Sequence, residues 1–230
     1  YLVGYKRGKY NFTDILSLNK MGWMVGLQMG LETALFSITG IMIGWLGSIA
    51  LAAHQVMVAI STLGFMIYYG VGAAVSVRVS NYFGRQDLLH VRRTTMAGFH
   101  LILCLAVCAC TVFLFSRELI GYLFTTSEEV IRVVSTLVYI LLAYQFGDAL
   151  QITYANSLRG IGDVISMAVI SFIGYFLIAM PVCYICGFVL EWGITGIWIG
   201  YPIGLTLTGV MLCGRYYWKL KTKTQSKEFY

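Results

Sequence analysis

Six long apolar stretches run along the chain, separated by short polar segments. Each stretch is continuous rather than alternating at every second residue, so each predicts a membrane-spanning α-helix and not a barrel strand. The pattern predicts an all-α integral membrane protein, with residues 21–218 as a six-helix transmembrane bundle between a segment 1–20 and a basic tail 219–230. The predicted spans are Met21–Leu46, Ala52–Val77, Thr94–Phe115, Ile131–Ser157, Val164–Leu190 and Ile194–Trp218.

The composition supports this class and excludes others. Of the 230 residues, 59% are hydrophobic and 11% are charged, and the mean hydropathy is +0.78. Soluble domains are about 45–50% apolar and about 25% charged. The high apolar fraction and low charged fraction therefore exclude a secreted disulfide-rich domain, a disordered regulator and a cytosolic nucleotide-binding enzyme.

The net charge of +6 indicates membrane topology rather than nucleic-acid binding. If the six helices alternate in direction, 14 of the 16 Lys and Arg residues lie on one side, and only Arg117 and Arg132 lie on the other. Cytoplasmic loops carry such an excess of basic residues. We therefore predict a multi-pass protein of the plasma (inner) membrane, with both termini of this chain in the cytoplasm and no nucleic-acid partner.

Two acidic residues lie well inside the predicted spans. Glu32 is on the first span and Asp148 is on the fourth, roughly 18 Å and roughly 16 Å of helix from the basic residues at the cytoplasmic side. The two carboxyl groups are thus predicted at similar depth, where they could share one site. Acids inside a membrane are costly, face the bundle interior and mark pathways for ions or substrates.

Polar residues accompany both acids at helical spacing. Gln28 lies one turn before Glu32, while Tyr144 and Gln151 flank Asp148. Carboxylate, amide and phenol oxygens form an environment suited to Na⁺ or a proton. We interpret Gln28 and Gln151 as polar lining of such a site. The alternative is a structural role, in which two protonated acids hydrogen-bond neighbouring carbonyl groups.

Glycine and proline predict local features of the helices. Glycines recur four residues apart at Gly26 and Gly30 and again at Gly196, Gly200 and Gly204, a spacing that lets membrane helices approach closely. Pro181 and Pro202 interrupt the fifth and sixth spans and predict kinks, because proline removes a backbone donor.

Five segments, in order along most of the chain, carry a family resemblance. They are Gly26–Glu32, Ala50–Gln55, Gly72–Gly84, Ser157–Asp163 and Trp192–Gly200. Together they resemble the multidrug and toxin extrusion (MATE) family of efflux transporters. The resemblance implies that this chain is the C-terminal six-helix lobe of a twelve-helix, two-lobe transporter. The start at Tyr1 rather than Met agrees with a fragment whose N-terminal lobe is missing and whose residues 1–20 link the lobes.

The resemblance also implies a function. A MATE transporter expels small cationic or amphipathic drug-like compounds against Na⁺ or H⁺ by alternating access, and it is neither an enzyme nor dependent on a cofactor. The family's C-lobe cation site uses acids that match Glu32 and Asp148, and Tyr144 matches a position lining that site. The expected coupling-cation site is therefore Glu32, Asp148 and Tyr144, with Na⁺ at the two acids as the one possible metal.

Two alternatives remain open. A lipid-linked saccharide flippase has a similar bundle, although cations are expected to line its cavity and the buried charges here are acidic.

The second alternative is an intramembrane aspartyl protease, because Gly160-Ile-Gly-Asp163 matches the Gly-x-Gly-Asp pattern of that class. Asp163, however, is predicted at the membrane surface, roughly 16 Å or more from Asp148 along the helix axis, whereas a catalytic acid pair shares one proton. A local salt bridge between Arg159 and Asp163 and the start of the next helix are the expected explanation.

Overall fold

The computed structural model describes residues 12–228, almost all of which are helical. Six helices within this range are long and apolar enough to cross a membrane, and the predicted fold class is confirmed. A short helix, α4 (Arg117–Phe124), lies between the third and fourth of them. The six are α1 (Phe12–Gly44), α2 (Ser48–Gly84), α3 (Leu88–Phe115), α5 (Glu128–Gly160), α6 (Val164–Val189) and α7 (Gly193–Glu228).

The helices extend beyond the predicted spans at several ends. Helix α1 already includes Phe12, inside the predicted segment 1–20, and α7 includes residues up to Glu228, most of the predicted tail. Residues 1–11 and 229–230 lie outside the described part of the chain. Hydropathy marks only where apolar character ends, whereas a helix continues for as long as each N–H reaches the carbonyl four residues back. The boundaries therefore differ although the helices are the predicted ones.

Helix α5 lies at the centre of the bundle and packs against α2, α3, α4 and α7. Every residue from Gln151 to Leu158 is buried, so the C-terminal part of α5 is enclosed around its whole circumference. A helix in this position is expected to be apolar on all sides. Instead α5 carries Tyr144, Asp148 and Gln151 into the interior, where polar groups are costly unless they have partners.

Helix α6 is irregular near its middle. Its α-helical segments Val164–Phe172 and Met180–Tyr184 alternate with π-helical turns over Ile173–Ala179 and Ile185–Val189. Pro181 lacks an N–H and its ring would clash with a carbonyl one turn earlier, and wider turns on either side accommodate it. The predicted interruption at Pro181 is confirmed, whereas α7 remains α-helical through Pro202.

The glycines of α7 hold it against α6. A Cβ atom added to Gly196, Gly200 or Gly204 would collide with atoms of Cys186, Cys183 or Ala179, all on α6. Close packing through small residues is confirmed here. Gly26 and Gly30 have open space beside them in the described part of the chain, so this pair does not hold α1 against another helix of this lobe. Four-residue spacing alone does not say which face of a helix is covered.

Candidate acid site

The structure brings the two intramembrane acids together at the centre of the bundle. Glu32 on α1 is half-buried, and Asp148 on α5 is completely buried. Their carboxyl groups are close enough for their charges to interact. Tyr144, one turn before Asp148, is buried beside them and interacts electrostatically with both. Three residues predicted from sequence to share one site are therefore neighbours.

The predicted polar lining residues also reach this site. Gln28 donates from Nε2 to Oε2 of Glu32 at 3.3 Å. Gln151 donates from Nε2 to the hydroxyl of Tyr175 at 2.6 Å, and that hydroxyl donates to the same oxygen of Glu32 at 3.4 Å. Glu32 thus lies at the end of a hydrogen-bonded chain that joins α5, α6 and α1.

Tyr175 is a member of the site that sequence reasoning missed. It is fully buried and comes from the first π-helical stretch of α6. Its neighbour Gly174 lets α6 approach Thr208 of α7 so closely that a Cβ atom there would overlap the threonine hydroxyl. The signal in the sequence was weak, because Tyr175 is one aromatic residue in an apolar span. Its proximity to Pro181 is the one hint of local irregularity.

Asp148 has an unusual environment for a buried carboxylate. Within residues 12–228, neither of its carboxylate oxygens has a hydrogen-bond partner, and neither does Oε1 of Gln151. No ion pair in this range involves Asp148 or Glu32. Buried polar atoms in folded proteins are nearly always paired, so exceptions need an explanation. Three unpaired oxygens beside a second carboxyl group provide acceptors for a cation or a proton.

A cavity of about 270 Å³ opens beside the acids, between α1, α2 and α5. Glu32 and Tyr144 line it, whereas Asp148 lies behind them. The remaining wall is mostly aromatic and aliphatic with three hydroxyl groups, a mixture that accommodates amphipathic molecules. The other lining residues are Met29, Thr33, Phe36, Val58, Ser61, Thr62, Phe65 and Met66.

Asp163 lies apart from this site and belongs to an ion cluster at the end of the bundle. It accepts from Nε of Arg215 at 2.8 Å and from Ser166 at 2.9 Å, and Nζ of Lys219 is 3.8 Å away. Burial raises the pKa of the Asp163 carboxyl, but the bonds from Arg215 and Ser166 and the charge of Lys219 outweigh it and hold the pKa below its usual value.

The expected salt bridge between Arg159 and Asp163 is therefore wrong. Arg159 instead donates to Oδ1 of Asn156 at 3.3 Å. The aspartate of the Gly-x-Gly-Asp pattern is neutralised by Arg215 of α7, with no contact to Asp148 that could form a protease dyad. Across the described residues, no three histidine, cysteine or acidic side chains gather as they would around a metal ion.

Comparison with known proteins decides the family. The sequence model of the MatE family matches residues 25–185, which is most of the chain. The chain belongs to the MATE family. Members of this family are membrane transporters, and the predicted match to the C-terminal half of such a transporter is confirmed.

Curated relatives in the MATE family include multidrug resistance proteins called NorM. The protein from Photobacterium profundum is 34% identical over 220 residues, which are 94% of this chain and 47% of that protein. The protein from Vibrio cholerae is 33% identical over 214 residues, 90% of this chain and 47% of its own length. The chain therefore spans about half the length of the curated relatives it matches.

Solved MATE structures show the same fold. A eukaryotic MATE transporter superposes with a TM-score of 0.83 at 20% identity, covering 94% of this chain and 51% of that one. A Vibrio cholerae MATE transporter in a bent form gives a TM-score of 0.79 at 17% identity, covering 89% of this chain and 46% of that one. Each match again involves about half of a longer transporter.

Proposed function

We propose that this chain is the C-terminal lobe of a multidrug efflux antiporter, which expels cationic or amphipathic compounds in exchange for Na⁺ or H⁺. Relatives that are a third identical are called multidrug resistance proteins, and this supports drug efflux as the activity. The observation that carries the antiport mechanism is Asp148, a fully buried carboxylate with two unpaired oxygens next to a second acid.

The site has the chemistry that a coupling cation requires. Na⁺ prefers several oxygen ligands, and Asp148, Glu32, Tyr144 and Gln151 can supply them. A proton needs one carboxylate acceptor whose charge has no basic partner, and Asp148 meets that condition within the described residues. The hydrogen bonds from Gln28 and Tyr175 both reach Oε2 of Glu32 and orient its carboxyl group towards the site.

Coupling follows from the position of Glu32 between the buried acid and the cavity. A cationic compound in the cavity is attracted by the same negative charge that the coupling cation neutralises. Each ligand therefore weakens the binding of the other by an equal factor, as linkage requires. Alternating access then needs two lobes that rock against each other around this site, so the N-terminal six helices are the partner that completes the drug pathway.

The membrane orientation is part of the same proposal. The excess of Lys and Arg at one end of the bundle favours the inner membrane with both ends of this chain in the cytoplasm. Under this orientation Asp163, Arg215 and Lys219 are on the cytoplasmic side. A cysteine placed in the loop between α4 and α5 should then react with membrane-impermeant reagents added outside the cell.

The test uses the complete two-lobe transporter in proteoliposomes, with separate Na⁺ and H⁺ gradients driving the efflux of a cationic dye. We expect Glu32→Gln and Asp148→Asn each to reduce ion-driven efflux to the level of empty vesicles, since each removes a charge that the cation neutralises. Glu128→Gln and Glu129→Gln, at the exposed start of α5, are matched controls that should keep full activity.

The result also separates the ions and the alternative cargo. Efflux driven by only one gradient identifies the coupling ion. Wild-type efflux in both acid variants would contradict the site assignment. A flippase would instead move a fluorescent lipid-linked saccharide between leaflets and would leave the dye untransported.

A further inference from the structure

A second cavity, of about 370 Å³, lies between α2 and α3 and is separate from the acid site. Its wall is mainly apolar and includes Ala74, Ala97 and Leu101. At one end stand two arginines, Arg78 from α2 and Arg93 from α3. Each lies roughly 8–9 Å along its helix from the turn that joins α2 to α3. The cleft therefore has a cationic end near that turn and an apolar end deeper in the bundle.

The cleft opens towards lipid rather than towards the acid cavity. Phe65 lines the acid cavity and Arg78 lines this cleft, and they are about 3.6 turns apart on α2, so they point to nearly opposite sides of the helix. Leu101, which lines the cleft, is 53% exposed. This inference rests on the proposed function, in which the second lobe lies on the side of the acid cavity. The cleft then faces the bilayer.

Both arginines have free donors. Among the side chains that the structure describes, those of residues 12–225, neither Arg78 nor Arg93 takes part in an ion pair, and neither donates a hydrogen bond. The charge of Arg93 acts on one acid, Asp87, whose pKa is lowered chiefly by the backbone N–H of His90 and more weakly by Arg93. The Asp87 carboxylate bonds to the His90 ring at 2.6 Å and not to Arg93. Two guanidinium groups thus stand unpaired at the edge of an apolar cleft.

We propose that this cleft binds one anionic phospholipid, with its phosphate held by Arg78 and Arg93 and an acyl chain lying against Ala74, Ala97 and Leu101. Arginine forms paired hydrogen bonds with phosphate oxygens. Basic pockets between membrane helices on the cytoplasmic side bind anionic headgroups. A zwitterionic lipid carries a cationic headgroup nitrogen that two arginines repel, and free phosphate makes no use of the apolar wall. The chemistry therefore selects a lipid with net negative charge.

The test is native mass spectrometry of the complete transporter in detergent, titrated with phosphatidylglycerol or with phosphatidylcholine. We expect one phosphatidylglycerol to bind in preference to phosphatidylcholine. Arg78→Gln and Arg93→Gln should each weaken that binding about fivefold, and the double variant about 25-fold. Arg78→Lys should weaken the binding less than Arg78→Gln does, because lysine keeps the charge but cannot form the paired hydrogen bonds. Equal binding of the two lipids would overturn the proposal.

Matched variants separate this cleft from general surface charge. Arg85 is exposed at the same end of the bundle, just after α2, but does not line the cleft. Arg85→Gln should leave phosphatidylglycerol binding unchanged, and a loss as large as that of Arg78→Gln would overturn the assignment.

The apolar part of the cleft has its own test. Ala97→Phe fills it and leaves both arginines in place, so phosphatidylglycerol binding should be lost. Retained binding in this variant would overturn the acyl-chain site. The bound-lipid readout is independent of dye efflux, so failure of this proposal is distinguishable from failure of the antiport mechanism.

Discussion

Asp148 and Asp163 are two buried aspartates in one small bundle with opposite environments. Asp163 bonds to Arg215 and Ser166 and lies near Lys219. Asp148 is fully enclosed, has no hydrogen-bond partner for either carboxylate oxygen among residues 12–228, and has another acid as its charged neighbour. Both residues are aspartates, and both lie on or next to membrane-spanning helices, so the difference between them lies in their surroundings.

The difference separates a structural charge from one available to a ligand. At Asp163, the fold itself supplies the positive charge, so the carboxylate joins the start of α6 to the end of α7. At Asp148, the fold supplies no compensating charge, and a buried carboxylate without one is strongly unfavourable. The first arrangement stabilises the protein, whereas the second one stabilises it only when a cation or proton is bound.

The largest effect that this comparison predicts on stability is at Asp163. Asp163→Asn should lower the free energy of unfolding by roughly 2 kcal/mol, less than the roughly 3–5 typical of a fully buried pair, because Arg215 is 29% exposed. Thermal unfolding of the complete transporter in detergent measures the change. Dye efflux per folded molecule should remain within about twofold of the wild type.

The control is the double variant Asp163→Asn/Arg215→Gln, which should recover about half of the lost stability because it also removes the uncompensated arginine.

The pKa of Asp163 is lower in the folded protein than its ordinary value. The stability that this carboxylate gives the folded protein is therefore complete above the ordinary pKa of about 3.9. It is lost only as pH falls through the lower folded value. A stability change from this group between about pH 6 and about pH 8 would contradict the assignment.

A smaller effect is predicted at Tyr175, which bonds to the acid site rather than to the ion cluster. Tyr175→Phe removes one hydrogen bond to Glu32, worth about 1 kcal/mol, and should raise the half-saturating cation concentration for efflux about fivefold. Measuring the rate of dye efflux at a series of Na⁺ or H⁺ concentrations gives this half-saturating concentration.

Tyr216 provides the matched comparison for Tyr175. It is also buried, but it bonds to Thr95 at 2.8 Å and touches neither acid. Tyr216→Phe should leave the cation dependence unchanged, and an equal shift in both tyrosine variants would argue against a role of Tyr175 in cation binding.

The smallest effect is on stability at Asp148, and its sign is opposite to that at Asp163. Asp148→Asn removes a buried charge without breaking any described hydrogen bond. The unfolding free energy in cation-free buffer should stay the same or rise by up to about 1 kcal/mol. A loss of stability as large as that of Asp163→Asn would mean that Asp148 is a structural residue.

Parts of the acid site could be predicted from sequence because helix geometry is regular. A rise of about 1.5 Å per residue was enough to place Glu32 and Asp148 at similar depth. Helical spacing also placed Gln28, Tyr144 and Gln151 on faces where the structure finds them near the acids. These inferences use only positions along single helices and the rule that buried charges face the bundle interior.

Features that depend on contacts between helices could not be predicted in the same way. Tyr175 reaches Glu32 from a π-helical turn, whose side-chain directions a 3.6-residue period does not give. Asp163 pairs with Arg215, which is distant in sequence, and not with nearby Arg159. The open faces of Gly26 and Gly30 likewise depend on which helices surround α1. In each case the deciding neighbour lies on another element.

The central position of α5 has a mechanical consequence for the proposed cation site. In the apolar part of each helix, 50% of α5 is buried but only 28% of α1, so within this lobe α5 is enclosed on more sides than α1. Asp148 therefore belongs to an enclosed helix, whereas Glu32 belongs to a helix at the edge of the lobe. In the proposed transporter, a cation that bridges the two acids joins α1 to α5, and its release separates them. Ion binding at this site is then coupled to the position of one helix.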